Sequence, residues 1–290
     1  MRFSLVSIAS TLAATASVLS VMAAPVKLAK RDTASDIGVL NYALTLEHLE
    51  TEFYVEGLRK FSDANFKDAN LDEEIRRRIV HIGEHEATHV KVLTSTIETL
   101  GGTPVRPCTY KFPLDDVYTF VAIARALEQT GVSAYLGVAD KLDGDLLTAA
   151  ASIATVEARH SSFLNDVVGE TGAPYPFDTP LTEREIFTVA SNFITECPYD
   201  IGLTPFKQLS AVIEGERVKT SYDGEDPDRQ TWCQFLYNNK VVVSRREECK
   251  IPPTVVGYFY LVITDTATPI TFDDDSRIIA GPALLFRGDH

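Results

Sequence analysis

The sequence predicts an α+β protein in which an N-terminal four-helix bundle is followed by a small all-β domain. From about residue 36 to residue 168, apolar residues recur at spacings of three and four with few prolines, which is typical of bundle helices. The connections between these predicted helices are short, long and short, as in two antiparallel hairpins joined by a crossover. After residue 176 the pattern changes to short β-type runs separated by turn signals.

The first 31 residues are predicted to be absent from the mature chain. Arg2 precedes an apolar run at residues 3–24 that is rich in Ser, Thr and Ala, as in a secretory signal peptide. Lys30-Arg31 is a dibasic pair that a kexin-type protease would cut after a short pro-segment. No second long apolar run follows it in the sequence. We therefore expect a soluble, secreted protein.

The chain is acidic. Its net charge is −14, and loss of residues 1–31 removes four basic residues and no acidic ones, which makes the mature charge −18. Such a surface repels phosphate backbones and anionic lipids. We therefore expect neither nucleic acid nor membrane partners, whereas binding of cations is compatible with this charge.

The four cysteines are predicted to form two disulfides. An even count in an oxidising compartment favours disulfides over metal thiolates, and no C-x-x-C spacing argues otherwise. Three pairings are open from sequence. We favour Cys108 with Cys197 and Cys233 with Cys249, the latter because residues 234–248 resemble a hairpin.

Four helices are predicted from four stripes of inward-facing residues, at residues 40–58, 75–97, 117–138 and 146–168. Each stripe is interrupted near its middle by ionisable side chains. Their burial is costly unless another group compensates the charge.

The connections between the predicted helices differ in length. A polar loop at residues 61–72 joins the first pair, and the short sequence LDGD at residues 142–145 joins the second pair. Between the pairs lies a proline-rich crossover at residues 101–113, which contains Cys108.

The C-terminal part, residues 177–290, is predicted to be a small all-β domain. TWCQFLYNNKVVVSR, residues 231–245, has the pattern of a hairpin with an Asn-Asn turn. Residues 255–265 and 277–286 have the pattern of further strands. One helical segment is expected at about residues 183–196.

The ionisable residues of the four stripes form a repeated half-site. Two of the six histidines follow a glutamate by three residues, once on the second and once on the fourth predicted helix. Residues three apart share a helix face, so each pair offers an oxygen and a nitrogen to one metal. The first and third predicted helices each add one inward-facing glutamate at matching depth. The candidate metal ligands are Glu47, Glu86, His89, Glu128, Glu157 and His160.

Four carboxylates and two imidazoles are the ligand set of ferritin-like di-iron and di-manganese proteins, and four carboxylates neutralise two divalent ions. The alternative is a buried salt-bridge network. No lysine or arginine lies on the four stripes, however, and Arg125 and Arg159 are expected to face away. The sequence assigns no catalytic residue.

Several neighbouring residues have more ordinary interpretations. Glu50 lies one turn beyond Glu47 and is either a substitute ligand or a partner of one. Tyr54 and Tyr135 each lie two turns beyond a ligand glutamate and are expected in the core, with ligand orientation as a lesser alternative. The remaining internal histidines are interpreted as surface groups or as partners of ligands: His48, His81 and His85.

A zinc-protease site is a remote alternative, because His85-Glu86-x-x-His89 matches H-E-x-x-H. The extended form of this motif requires glycine at 92 and histidine at 95, where the chain has Val92 and Ser95. The form with a glutamate ligand requires a carboxylate about twenty residues on, and none is present there.

Four sequence segments resemble secreted fungal ferritin-like-domain proteins of the stress-response and late-sexual-development type. These proteins are similar to plant and bacterial desiccation-related proteins. The segments are LNYALTLEHLETEFYVEGL (40–58), HEATHVKVL (85–93), ARALEQTGVSAYLG (124–137) and ATVEARHSSFL (154–164). CP at 197–198 and IAGPALL at 279–285 extend the resemblance over nearly the whole mature chain. It implies a ferritin-like bundle at residues 36–175 and metal ligands at the six positions above.

Two functions are expected from these features. The first is a carboxylate-bridged dinuclear centre that reacts with dioxygen or peroxide, with iron favoured over manganese by the resemblance. The second is a non-catalytic stress or cell-surface protein whose bundle is a metal-stabilised scaffold. A domain fixed to the crossover would obstruct a closed shell, so we expect a monomer or small oligomer and not a 24-subunit cage.

Overall fold

Four long α-helices, two short ones and a 3-10 turn at Ala139–Lys141 form the helical part of the structure, a computed structural model that describes residues 33–288. The helices are α1 (Thr33–Lys60), α2 (Asp63–Asp68), α3 (Glu73–Thr99), α4 (Val117–Gly137), α5 (Gly144–Val167) and α6 (Glu183–Ala190). Helix α1 packs along α3, and α4 packs along α5, as the two predicted hairpins require. The signal peptide and pro-segment predicted for residues 1–31 lie outside the described residues.

Side-chain caps explain where several of these helices begin. The carboxylate of Asp72 accepts a hydrogen bond from the Ile75 amide at the start of α3, and Asp116 accepts one from the Thr119 amide at the start of α4. Each cap satisfies an amide that has no partner within its helix. The loop predicted at residues 61–72 is partly helical, because Ser62 caps α2 in the same way.

Apolar residues fill both ends of the bundle and leave a polar layer between them. At one end the buried aromatic rings of Phe53 and Phe120 form the centre of a large cluster. At the other end a second cluster contains Leu44, Leu93 and Ile153. The ionisable residues of the four stripes lie between these clusters along every helix, so they are enclosed from both directions.

The C-terminal part consists mainly of antiparallel strands. A short strand in the crossover, β1 (Thr109–Tyr110), precedes them. The others are β2 (Ile194–Glu196), β3 (Ser210–Glu214), β4 (Arg217–Ser221), β5 (Trp232–Tyr237), β6 (Lys240–Arg245), β7 (Gly257–Thr264) and β8 (Ile278–Arg287). The largest sheet has the order β6-β5-β7-β8. Asn238 and Asn239 have φ values of 50° and 52°, which suit the predicted two-residue hairpin turn between β5 and β6. The predicted α+β fold class is confirmed.

One face of this sheet packs against helix α4 of the bundle. Tyr260 on β7 is 1% exposed, and its hydroxyl lies 2.8 Å from the hydroxyl of Ser133. Ile186 of helix α6 lies in one apolar cluster with Tyr260. The helix expected at about residues 183–196 is shorter than predicted, because residues 194–196 form β2, which pairs with β1 in the crossover. The domain limits at residues 175 and 177 stay a prediction.

Both favoured disulfide pairings are confirmed. Cys108 in the crossover is bonded to Cys197 beyond β2, and Cys233 on β5 is bonded to Cys249. Two disulfides suggest that the chain folds in an oxidising environment. None of the helices within residues 33–288 is both long and apolar enough to cross a membrane.

Candidate metal centre

The structure brings all six predicted ligands together in the polar layer of the bundle. They form two overlapping groups that each contain four residues, and within each group the donor atoms lie within 4.8 Å of one another. Glu86 and Glu157 belong to both groups. The first group consists of Glu47, Glu86, His89 and Glu157. The second group consists of Glu86, Glu128, Glu157 and His160. Two positions that share two carboxylates are the arrangement expected for a carboxylate-bridged pair of ions.

Three carboxylates converge on one nitrogen of His89. Its Nδ1 atom lies 2.9 Å from Glu86, 3.3 Å from Glu47 and 3.4 Å from Glu157. A single N–H proton is well directed at one acceptor only, so it cannot serve all three. A cation among these atoms would contact all of them.

The second histidine occupies a related position. Nδ1 of His160 lies 3.0 Å from Glu128 and 3.1 Å from Glu86, so it also faces the cluster. Its other nitrogen, Nε2, lies 3.0 Å from Nδ1 of the exposed His85. A hydrogen bond at the second nitrogen fixes the tautomer and the ring orientation of a metal-binding histidine.

Burial makes this cluster costly in the absence of a metal. Glu86, Glu128 and Glu157 have no exposed surface, and Glu47 is 1% exposed. Neither side-chain oxygen of Glu157 has a hydrogen-bond partner. Within residues 33–288, no lysine or arginine forms an ion pair with these carboxylates. Buried polar atoms without partners indicate that the arrangement requires a further group.

The pKa values show the same imbalance. Burial raises the pKa of Glu47 to about 7, and burial together with the charges of Glu86 and Glu128 raises that of Glu157 well above its ordinary range. Burial would also raise the pKa of Glu86, but hydrogen bonds from His160 and His89 outweigh it and lower the value to about 2. Protons thus take the place of cations in the metal-free cluster, and metal binding must release them.

The pKa values of the two histidines are also raised, but for a different reason. Burial lowers the pKa of each imidazole, but the surrounding carboxylates outweigh this effect and raise the pKa of His89 to about 12 and that of His160 to about 9. Both rings are therefore cationic at neutral pH when no metal is bound. A metal ion would replace the proton on each Nδ1.

Two tyrosines support the glutamates of the opposite helix. The hydroxyl of Tyr135 on α4 donates a hydrogen bond to Glu47 on α1, and the hydroxyl of Tyr54 on α1 donates one to Glu128 on α4. Both rings are buried, as predicted. This crossed pairing was only a lesser alternative from sequence, because residues on different helices carry no spacing signal.

Gly131 and Glu50 complete the surroundings of Glu157. A Cβ atom at position 131 would lie 2.6 Å from Oε2 of Glu157 and 3.2 Å from Oε1 of Glu50, so only glycine leaves room for both carboxylates. Glu50 is 4% exposed, and burial and the charge of Glu157 raise its pKa well above the ordinary range. The sequence named Glu50 as a neighbour of the site but did not identify the role of Gly131. A glycine one turn after a ligand on a buried stripe was the available signal.

The positions of His85 and Arg125 favour a metal centre in the bundle over a zinc-protease site. In the described part of the chain, His89 belongs to a candidate metal group and His85 does not, so the two histidines of H-E-x-x-H do not share one position. Arg125 faces away from the cluster, because its guanidinium donates to Asn165 and lies over the ring of Phe286.

The N-terminal helical region is similar to ferritin-like domains. A family model described as ferritin-like domain matches residues 35–170, which contain all four long helices except the first residues of α1. The buried carboxylates and histidines of this domain could hold metal ions, because oxygen and imidazole nitrogen are suitable donors for iron and manganese.

The chain is also similar to a curated fungal protein, Protein rds1 of Schizosaccharomyces pombe. The two are 30% identical over 167 residues. This match covers 56% of the present chain and 40% of the relative, so the matched part spans less than half of that protein's length. Both comparisons support the resemblance to fungal ferritin-like-domain proteins.

Proposed function

We propose that the protein binds two metal ions in a carboxylate-bridged centre that reacts with dioxygen or peroxide. The proposed ligands are Glu47, Glu86, His89, Glu128, Glu157 and His160. Iron is proposed over manganese because a family model described as ferritin-like domain matches the helical region. Secretion and an association with stress or development are part of the proposal, and they are supported by the resemblance and by the two disulfides.

The observation that carries the proposal is the set of orphaned carboxylate oxygens between the two imidazoles. Both oxygens of the fully buried Glu157 lack hydrogen-bond partners, and Glu157 belongs to both candidate groups. A structural ion-pair network would be expected to satisfy these atoms. Two bound divalent ions would satisfy them and would balance four carboxylates.

The protein's own residues would hold and orient such a centre. Tyr135 and Tyr54 fix the carboxylates of Glu47 and Glu128, and His85 fixes the ring of His160. The apolar clusters on both sides exclude bulk water. A bound pair of iron or manganese ions would supply redox chemistry, in which both ions share the electrons that are transferred.

A second candidate is a metal-stabilised scaffold without turnover. The depth of the centre favours it, since His89 and His160 are only 8% and 6% exposed. A metal that binds only the native state stabilises that state by linkage alone.

Metal analysis of the purified, reconstituted protein tests the centre. We expect two ions per chain in the wild type and a loss of at least one ion in Glu128→Ala and in His160→Ala. Glu98→Ala, an exposed position on α3, is the matched control and should keep both ions. Fewer than one ion per wild-type chain after reconstitution would refute the centre.

Oxygen consumption with ferrous iron separates the two candidates. A reactive centre predicts consumption by the wild type that Glu128→Ala abolishes. A scaffold predicts that metal raises the midpoint of thermal unfolding in the wild type without any consumption of oxygen.

A further inference from the structure

We propose that a narrow apolar slot between α3 and α5 admits dioxygen to the half of the centre that contains Glu47 and His89. The inference rests on the proposed metal centre and specifies which oxidant this route admits. The slot has a volume of about 20 Å³, and its lining comes from α1, α3, α4 and α5 and the segment after α4.

The inner end of the slot adjoins the metal centre. Leu93 lies one turn beyond His89, and Ile153 lies one turn before Glu157, so both belong to the layer of side chains next to the ligands. Tyr135 also lines the slot, and its hydroxyl contacts Glu47. A molecule that reached this layer would be one side chain away from the ligands.

The outer end of the slot reaches the surface. Val92 on α3 is 45% exposed, and Ala149 on α5 is also exposed. Both residues line the slot, with Thr96 and Leu146 beside them. The lining of this one slot therefore includes both solvent-exposed residues and residues of the layer that adjoins the ligands.

The chemistry of the lining selects an apolar molecule. Thr96 and Tyr135 supply its hydroxyl groups, and both groups already have partners, the Val92 carbonyl at 2.8 Å and Glu47. A water molecule in a cavity needs about two to four polar partners, whereas both hydroxyl groups of this lining are already engaged. Dioxygen makes no hydrogen bond that it must lose on entry. Hydrogen peroxide would lose its hydrogen bonds to water, which is costly.

Xenon binding to the metal-free protein tests the slot without any redox chemistry. We expect xenon between Leu93, Tyr135 and Ile153 in crystals under xenon pressure. Ala149→Leu adds three carbon atoms at the mouth and should abolish this site. Ala151→Leu, the same change on an exposed position of α5 outside the slot, should retain it. Absence of xenon from the wild-type slot would overturn the proposal.

Oxidation of ferrous iron by two different oxidants provides the second test. Two ferrous ions supply two electrons that, with two protons, reduce dioxygen to hydrogen peroxide or reduce hydrogen peroxide to two water molecules. We expect Ala149→Leu to slow the reaction with dioxygen about tenfold, which is about 1.4 kcal/mol of added barrier. The rate at which Ala149→Leu reacts with peroxide should stay close to that of the wild type. The rates of Ala151→Leu with both oxidants should also stay close to wild type.

Val92→Ala keeps the test valid if Ala149→Leu folds poorly, because it only shortens an exposed side chain at the mouth. It should leave the xenon site in place and should not slow the reaction with dioxygen. Equal slowing of both oxidants by Ala149→Leu, or an unchanged dioxygen rate in a variant that has lost xenon, would contradict the proposal. A wild-type protein that binds xenon but no metal would instead refute the proposed function.

Discussion

Replacement of Gly131 by alanine tests the metal centre at a position that no ligand occupies. In the interior of an ordinary helix, this change stabilises the folded state by about 1 kcal/mol. In α4 the added Cβ would lie 2.6 Å from Oε2 of Glu157, whereas ordinary contact begins at 3.4 Å. The carboxylate of Glu157 would have to move by the difference of 0.8 Å, and Oε1 of Glu50 would also lie only 3.2 Å from the added Cβ.

The expected consequence is a loss of metal affinity with little loss of metal-free stability. Metal–ligand distances tolerate changes of about 0.2 Å. Disturbance of the groups that support a ligand lowers metal affinity roughly 10- to 100-fold. With metal in excess, this removes about 1.4 to 2.8 kcal/mol of metal-dependent stabilisation. The metal-free Gly131→Ala protein should unfold within about 1 kcal/mol of wild type.

Urea unfolding with and without metal, together with equilibrium metal titration, measures both quantities. Gly38→Ala is the matched control, because Gly38 is also helical but its added Cβ would meet nothing within 4 Å. The control should be stabilised by up to about 1 kcal/mol in both states and should bind metal as wild type does. Wild-type metal affinity in Gly131→Ala would refute the view that Glu157 is a closely confined ligand.

Three further predictions concern parts of the molecule outside the centre. Burial raises the pKa of Glu185 to about 7 from 4.5, so its stabilising contribution is complete below pH 4.5 and is lost as the pH rises towards 7. Glu185→Gln keeps an acceptor for the Thr182 amide, and urea unfolding should show it to be more stable than wild type by up to about 3 kcal/mol at pH 8 but not at pH 4.5. A wild-type advantage at pH 8 would contradict this reasoning. Paired replacement of Cys108 and Cys197 by serine removes a crosslink between residues 89 apart. It should lower the free energy of unfolding by about 4 kcal/mol in the same assay. A loss of under about 1 kcal/mol would show that packing alone holds the crossover. Light scattering of the mature protein should show a monomer or small oligomer, and an iron-loaded particle of cage size would overturn the argument that the attached strands obstruct a shell.

The sequence determined the bundle, the candidate ligands and the presence of two disulfides, although not their pairing, because each has a local or compositional signal. Inward-facing residues recur with the period of a helix, and Glu86-x-x-His89 brings two donors to one face by helix geometry alone. The Asn-Asn turn between β5 and β6 was also identifiable, because it suits the backbone conformation of a tight hairpin.

Tertiary structure decided the relations between elements that are distant in sequence. Tyr135 reaches Glu47, and Gly131 leaves room for Glu157 and Glu50, only after four helices have packed side by side. The short strand at residues 194–196 replaced the predicted end of a helix, because its backbone groups pair with the crossover. Periodicity indicates which face of a helix is buried. It does not specify which side chain of another helix that face will meet, because packing fixes that contact and no local spacing encodes it.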